Sequence, residues 1–170
     1  MSLLQTITRD AIDPALAMLP AVMDTPQARV QILANGLQES RLVHRRQLVG
    51  NPPKPEGPAA GLYQFEQGGG CTGVLRHQAA RFWMVTACRA RQCDPTPGAL
   101  WQCIQHDDIL ATVAARLLLF TDPKRLPDLG DRDGAWLLYM RTWRPGKPKP
   151  DTWPGFYAQA LQFVTETASA

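Results

Sequence analysis

Apolar residues recur along this chain at helical spacing, and proline and aspartate punctuate them. Ile12, Leu16 and Leu19 share one face of a predicted helix over 8–19, closed by Pro20. Thr25-Pro26 pairs an N-cap hydroxyl with a proline at the first helical position, and predicts a helix from there to about residue 43. Val30, Ile32, Leu33 and Leu37 make that helix apolar on more than one face, as in a buried central helix. From about Thr72, the residues Val74, Leu75, Phe82 and Val85 predict a third helix, and Pro97 opens a short one through residue 103. Asp107 or Asp108 caps a helix carrying Ile109, Val113, Leu117 and Phe120. Asp131 or Asp133 caps the next, through Trp136, Leu137, Met140 and Trp143, and a last helix covers 153–167.

Between these elements the helical period is broken. Residues 47–60 hold four prolines and two glycines, which forbid a helix there. A short extended stretch is expected over 61–65, followed by the flexible Gly68-Gly69-Gly70, and Pro145-Gly146-Lys147-Pro148-Lys149-Pro150 interrupts the chain again. No internal repeat or linker divides the 170 residues. The expected fold is all-α, one domain over 1–170, with at most a short irregular β segment near 61–66.

Composition narrows the class. Hydrophobic residues at 45% and charged residues at 19% exclude wholesale disorder. No apolar run nears the roughly 18–20 residues of a membrane span. The first six residues lack a basic region and a long apolar region, so no signal peptide and synthesis in the cytoplasm are expected. The net charge of +3 falls short of a dedicated nucleic-acid patch. Cys71, Cys88, Cys93 and Cys103 are expected as reduced thiols. A Cys88–Cys93 or Cys93–Cys103 disulfide is a weaker alternative, and the spacing of Cys88, Cys93, Cys103 and His106 does not fit the common zinc patterns, so no metal is expected.

The informative residue is Glu39, near the C-terminal end of the central helix on a stripe with Ile32, Gly36 and Val43. Apolar neighbours and the negative end of the helix dipole both favour the protonated carboxyl, as a general acid requires. Gly36 would leave room for a ligand beside it. The plainer reading pairs Glu39 with Arg41, Arg45 or Arg46. Downstream, Gly61-Leu62-Tyr63-Gln64-Phe65-Glu66 offers a small-residue turn, a tyrosine and an amide suited to a polyhydroxylated ring, and is equally a core strand.

Gln38-Glu39-Ser40, followed by Gly61-Leu62-Tyr63-Gln64-Phe65 and later by Ala135-Trp136-Leu137-Leu138-Tyr139 and Arg144-Pro145-Gly146, resembles the lytic transglycosylase and goose-type lysozyme family. That family's pattern is a helix ending in Glu-Ser, a variable loop, Gly-Leu-x-Gln, and a late Ala-Tyr-Asn-x-Gly. The whole chain also resembles small phage and prophage proteins of lysozyme-like type. The resemblance implies a lysozyme-like domain that cleaves peptidoglycan glycan strands between N-acetylmuramic acid and N-acetylglucosamine, without cofactor. Glu39 matches the single acid/base, which protonates the glycosidic oxygen. The muramic 6-hydroxyl then attacks in transglycosylases, and water in hydrolases. Ser40, Gly61, Leu62, Tyr63, Gln64 and Tyr139 match the substrate-binding positions. The expected partners are glycan strands and phage tail proteins, and the route to the wall is a virion or holin-type release.

The chain departs from the family at Met140, where the pattern has asparagine. That favours a competing reading, a catalytically inactive structural or wall-binding module of a phage particle. A second competitor, a small basic nucleic-acid binder, rests on the net charge and on Arg41, His44, Arg45 and Arg46. Glu56 and Glu66 are the nearest candidates by sequence for a second carboxylate. Trp83, Trp101 and Trp136 read as core, while Trp143 and Trp153 flank the proline-rich loop as candidate rim residues. His44, His77 and His106 form no recognisable nucleophilic triad.

Overall fold

The structure, a computed structural model, describes residues 1–168. Helix α1 (Leu3–Ile7), a π-helical turn (Thr8–Ile12) and α2 (Asp13–Ala17) continue one another. This first helical run starts before the expected residue 8, because Ser2 and Gln5 form a capping box that satisfies its first donors. A 3-10 turn (Ala21–Met23) leads to the central helix α3 (Pro26–Ser40). The Thr25 hydroxyl caps α3 by accepting from the Ala28 N–H at 3.1 Å.

Helix α3 ends three residues before the expected boundary. Arg41 and Leu42 take left-handed conformations, with φ of 61° and 57°. The chain turns back, and the Leu42 N–H donates to the Gly36 carbonyl at 3.2 Å. Leu42 is thereby buried over the helix end.

Residues 47–60 contain no helix and pair through isolated bridges, Arg46 with Ala60 and Val49 with Lys54. Strands β1 (Ala59–Ala60) and β2 (Phe65–Glu66) then pair antiparallel, Ala59 opposite Glu66. The extended stretch expected at 61–65 is therefore corrected to a hairpin turn with a two-residue strand on each side. Leu62 and Tyr63 are both buried, which successive positions on a one-sided strand cannot be. Gly61, at φ +73°, enters the turn, and a Cβ there would sit 2.9 Å from the Ile104 carbonyl.

A second π turn (Gln67–Cys71) runs into α4 (Thr72–Arg76) and, after a break, α5 (Arg81–Ala90). The single third helix read from the sequence is thus two, because His77 leaves α4 in an extended conformation. Helices α6 (Pro97–Cys103), α7 (Asp108–Phe120), α8 (Arg132–Trp143) and α9 (Trp153–Ala168) complete the mainly helical fold. Asp107 caps α7 and Asp131 caps α8, accepting from Leu110 and Gly134 at 2.9 Å each. Every residue of α7 from Leu110 to Leu119 is buried, and α3, α5 and α8 all pack against it. Among the described residues no helix is long and apolar enough to cross a membrane.

At Gly36 this packing leaves no room for a side chain. An added Cβ would stand 2.2 Å from Leu42 Cδ2 and 3.1 Å from Tyr63 Cε1. Both side chains are buried, so neither has a free direction of retreat. Gly36→Ala should destabilise the fold by about 1–3 kcal/mol, read as a lowered midpoint in urea. An unchanged midpoint would show that the turn over the helix end is soft.

Candidate active site

The last turn of α3, the β-hairpin, α8 and the loop after α8 surround a cleft of about 1580 Å³. Glu39 lies half-buried on its wall. The left-handed turn at Arg41 and Leu42 stops α3 at Ser40, one residue after Glu39, leaving Glu39 in the final turn.

Opposite it, Tyr139 projects from α8. Its ring stacks with those of Trp143 and Trp153, centroids 6.2 and 5.4 Å away, and Trp136 adds a contact at 5.3 Å. Both flanking indoles are fixed in turn. Trp143 Nε1 donates to the Tyr63 carbonyl at 2.9 Å, and Trp153 Nε1 to the Arg132 carbonyl at 3.1 Å. The stack aims the Tyr139 hydroxyl across the cleft, where it donates to Glu39 Oε1 at 2.5 Å. Among the described residues no hydrogen bond occupies Oε2.

Burial pushes the Glu39 carboxyl up to about 7, against the opposing effects of the Tyr139 hydrogen bond and the positive charge of Lys149. Lys149 is placed by Gln38, whose amide donates to the Lys149 carbonyl and accepts from the Thr152 hydroxyl, both at 3.0 Å. Burial and the adjacent carboxyl push the Tyr139 phenol up, so it remains a donor. The site thus holds a carboxyl that titrates near neutral pH, with one oxygen anchored by Tyr139 and the other free of hydrogen bonds among the described residues.

The residues selected from the sequence fall into two groups. Glu39, Ser40, Gln64 and Tyr139 line the cleft, and Gly61, Leu62 and Tyr63 do not. Tyr63 is corrected to a core residue, its hydroxyl 3.2 Å from the Thr112 hydroxyl. Leu62 is likewise buried, and the Ser40 hydroxyl donates to its carbonyl at 2.6 Å, tying the end of α3 to the hairpin. Gln64 donates to the Gly61 carbonyl at 2.9 Å, with its backbone at φ 52°. The room expected beside Gly36 is filled by Leu42 and Tyr63. Trp143 stands in the cleft wall, while Trp153 is buried behind Tyr139 rather than on the rim.

Glu39 pairs with none of the three arginines offered as partners. Arg45 bridges Asp108 at 2.5 Å, and Arg41 and Arg46 cover the rings of Phe156 and Trp101 at 4.2 and 4.4 Å. Of the candidate second carboxylates, Glu66 lines the cleft and Glu56 does not. Asp122, which the sequence did not single out, also lines it. Arg141 binds Asp122 at 2.8 Å and holds its carboxyl below the usual range. Lys149 and Gln38 were likewise missed, since the proline-rich spacing gave no sign that the loop returns to α3. Cys71, Cys88, Cys93 and Cys103 are free thiols. No family model, curated protein or solved structure matches the chain.

The raised carboxyl has a consequence for stability. Unfolded, Glu39 ionises near its ordinary 4.5; folded, near 7. Between these values the folded state binds the extra proton, so stability contributed by this group falls as pH rises through the window. Glu39→Gln removes the titration. The difference in urea midpoint, wild type minus variant, should therefore fall between pH 4.5 and 7 and stay level above pH 8. A difference that does not vary with pH would mean that Glu39 titrates normally.

Proposed function

We propose that this protein is a glycosidase of the lysozyme-like class that cleaves peptidoglycan glycan strands at the bond between N-acetylmuramic acid and N-acetylglucosamine. The observation that carries the reading is the half-buried Glu39 in an open cleft, its carboxyl near 7 and one oxygen anchored by Tyr139. Such a group donates a proton to a leaving oxygen at neutral pH and takes one back in the next step. A cleft of about 1580 Å³ is large enough for several sugar rings rather than one small molecule.

In the proposed reaction, Glu39 gives the proton on its unanchored oxygen to the glycosidic oxygen. The C–O bond breaks with its electron pair leaving on that oxygen, and positive charge develops at the muramic anomeric carbon. The carboxylate left behind then removes a proton from the incoming nucleophile. Of the other carboxylates that line the cleft, Asp122 is engaged by Arg141, whereas Glu66 is exposed and forms no ion pair among the described residues. The nucleophile is therefore the muramic 6-hydroxyl, giving an anhydro product, or a water activated by Glu66, giving a reducing end. Tyr139 keeps the carboxylate oriented between the two steps.

The competing reading, an inactive wall-binding module, is supported by Met140 in the cleft wall where the family pattern has asparagine. Digestion of purified peptidoglycan, with products read by mass spectrometry, separates the two. The wild type should release fragments, with anhydro-muramic ends where the 6-hydroxyl attacks and reducing ends where water does, and Glu39→Gln should lower the rate by at least about a hundredfold. The wild-type rate should fall as pH rises above about 7, and Tyr139→Phe should shift that fall to higher pH, because it removes a bond that stabilises the ionised carboxyl. Release of nothing by the wild type, with retained binding to the wall, would establish the inactive module.

A further inference from the structure

The cleft carries the net charge of the whole chain. Its walls hold Arg41, Arg46, Arg141, Arg144, Lys147 and Lys149 against Glu39, Glu66 and Asp122. This excess of three positive charges equals the formal charge of +3 on all 170 residues. The rest of the molecule is therefore balanced.

The six cations divide by what they touch. Arg141 is neutralised by Asp122, and Arg41 and Arg46 lie over aromatic rings. Arg144, Lys147 and Lys149 are exposed and form no ion pair among the described residues. They sit on one short loop after α8. That loop is fixed at both ends: Arg144 Nε donates to the Arg141 carbonyl at 3.2 Å, and Gln38 bonds the Lys149 carbonyl. Elsewhere several arginines meet an aspartate, as Arg29 does with Asp13 and Asp24 and Arg91 with Asp107. A neutral sugar polymer gives a concentrated positive wall nothing to bind, whereas an anionic substituent on that polymer does.

We infer that Arg144, Lys147 and Lys149 form a subsite for carboxylates carried on peptide substituents of the glycan strand, so that the cleft selects acidic, peptide-bearing strands over neutral ones. The inference rests on the proposed glycan-cleaving role and assigns the loop a part in choosing the substrate, separate from proton transfer at Glu39. Lys149 serves both purposes, since its charge also reaches Glu39. Arg144 and Lys147 serve specificity alone.

The test compares purified sacculi, freed of phosphate polymers, with the same sacculi after their carboxylates are converted to neutral amides by carbodiimide coupling. Binding is measured by cosedimentation on the Glu39→Gln background, and cleavage on the wild-type background. Amidation should weaken binding about tenfold or more at low ionic strength, and added salt should erase the difference. Arg144→Gln combined with Lys147→Gln should weaken binding to untreated sacculi by a similar factor and leave binding to amidated sacculi unchanged. Equal binding to both materials would overturn the subsite, as would a double variant that loses both equally. The failure of the parent reading looks different: carboxylate-dependent binding without cleavage of either material would remove the glycosidase and keep the subsite. Cleavage that is indifferent to amidation would do the reverse.

Discussion

One hydrogen bond, from the Tyr139 hydroxyl to Glu39, joins residues a hundred positions apart and gives this fold its site. It needs two arrangements, one in each partner's surroundings. Tyr139 must be immobile, and the indoles of Trp143 and Trp153 stack with it, each tied by its own N–H to a backbone carbonyl. Glu39 must stand in the last turn of α3 and half out of water, which the reversal over Gly36 secures. Loss of the first frees the carboxyl to turn, and loss of the second returns it to water and to its ordinary ionisation.

The same turn binds the site to the core. Leu42 fills the space above Gly36, Tyr63 fills the space beside it, and the Ser40 hydroxyl bonds the Leu62 carbonyl between them. The hairpin that supplies Gln64 to the cleft is therefore fixed to the helix that supplies Glu39. Three of the residues first read as sugar contacts do this structural work. Their presence beside the glutamate serves the geometry of the site, while the surface offered to a ligand comes from Gln64, Trp143 and the basic loop.

Local signals in the sequence were legible where one residue decides a structure. Thr25-Pro26, Asp107, Asp131 and Pro97 mark helix starts by satisfying or sparing orphan donors, and each helix begins there. Glu39 stood out because its helical neighbours are apolar, and desolvation is what raises its carboxyl. What was not legible depends on chain reversal. Alternation over 61–65 suits a strand, yet tertiary packing buries Leu62 and Tyr63 together and makes a turn. Gly36 suggested a vacant space, which Leu42 reaches only because two consecutive residues adopt positive φ. The return of Lys149 to Gln38 spans over a hundred residues and leaves no trace in spacing.

Direct titration of the Glu39 side-chain carboxyl, by carbon NMR of protein labelled at glutamate and assigned with Glu39→Gln, tests the central claim. A burial-raised general acid predicts a midpoint near 7. A midpoint near the ordinary 4.5 would contradict the account, since the carboxyl would then be ionised at neutral pH and have no proton to give.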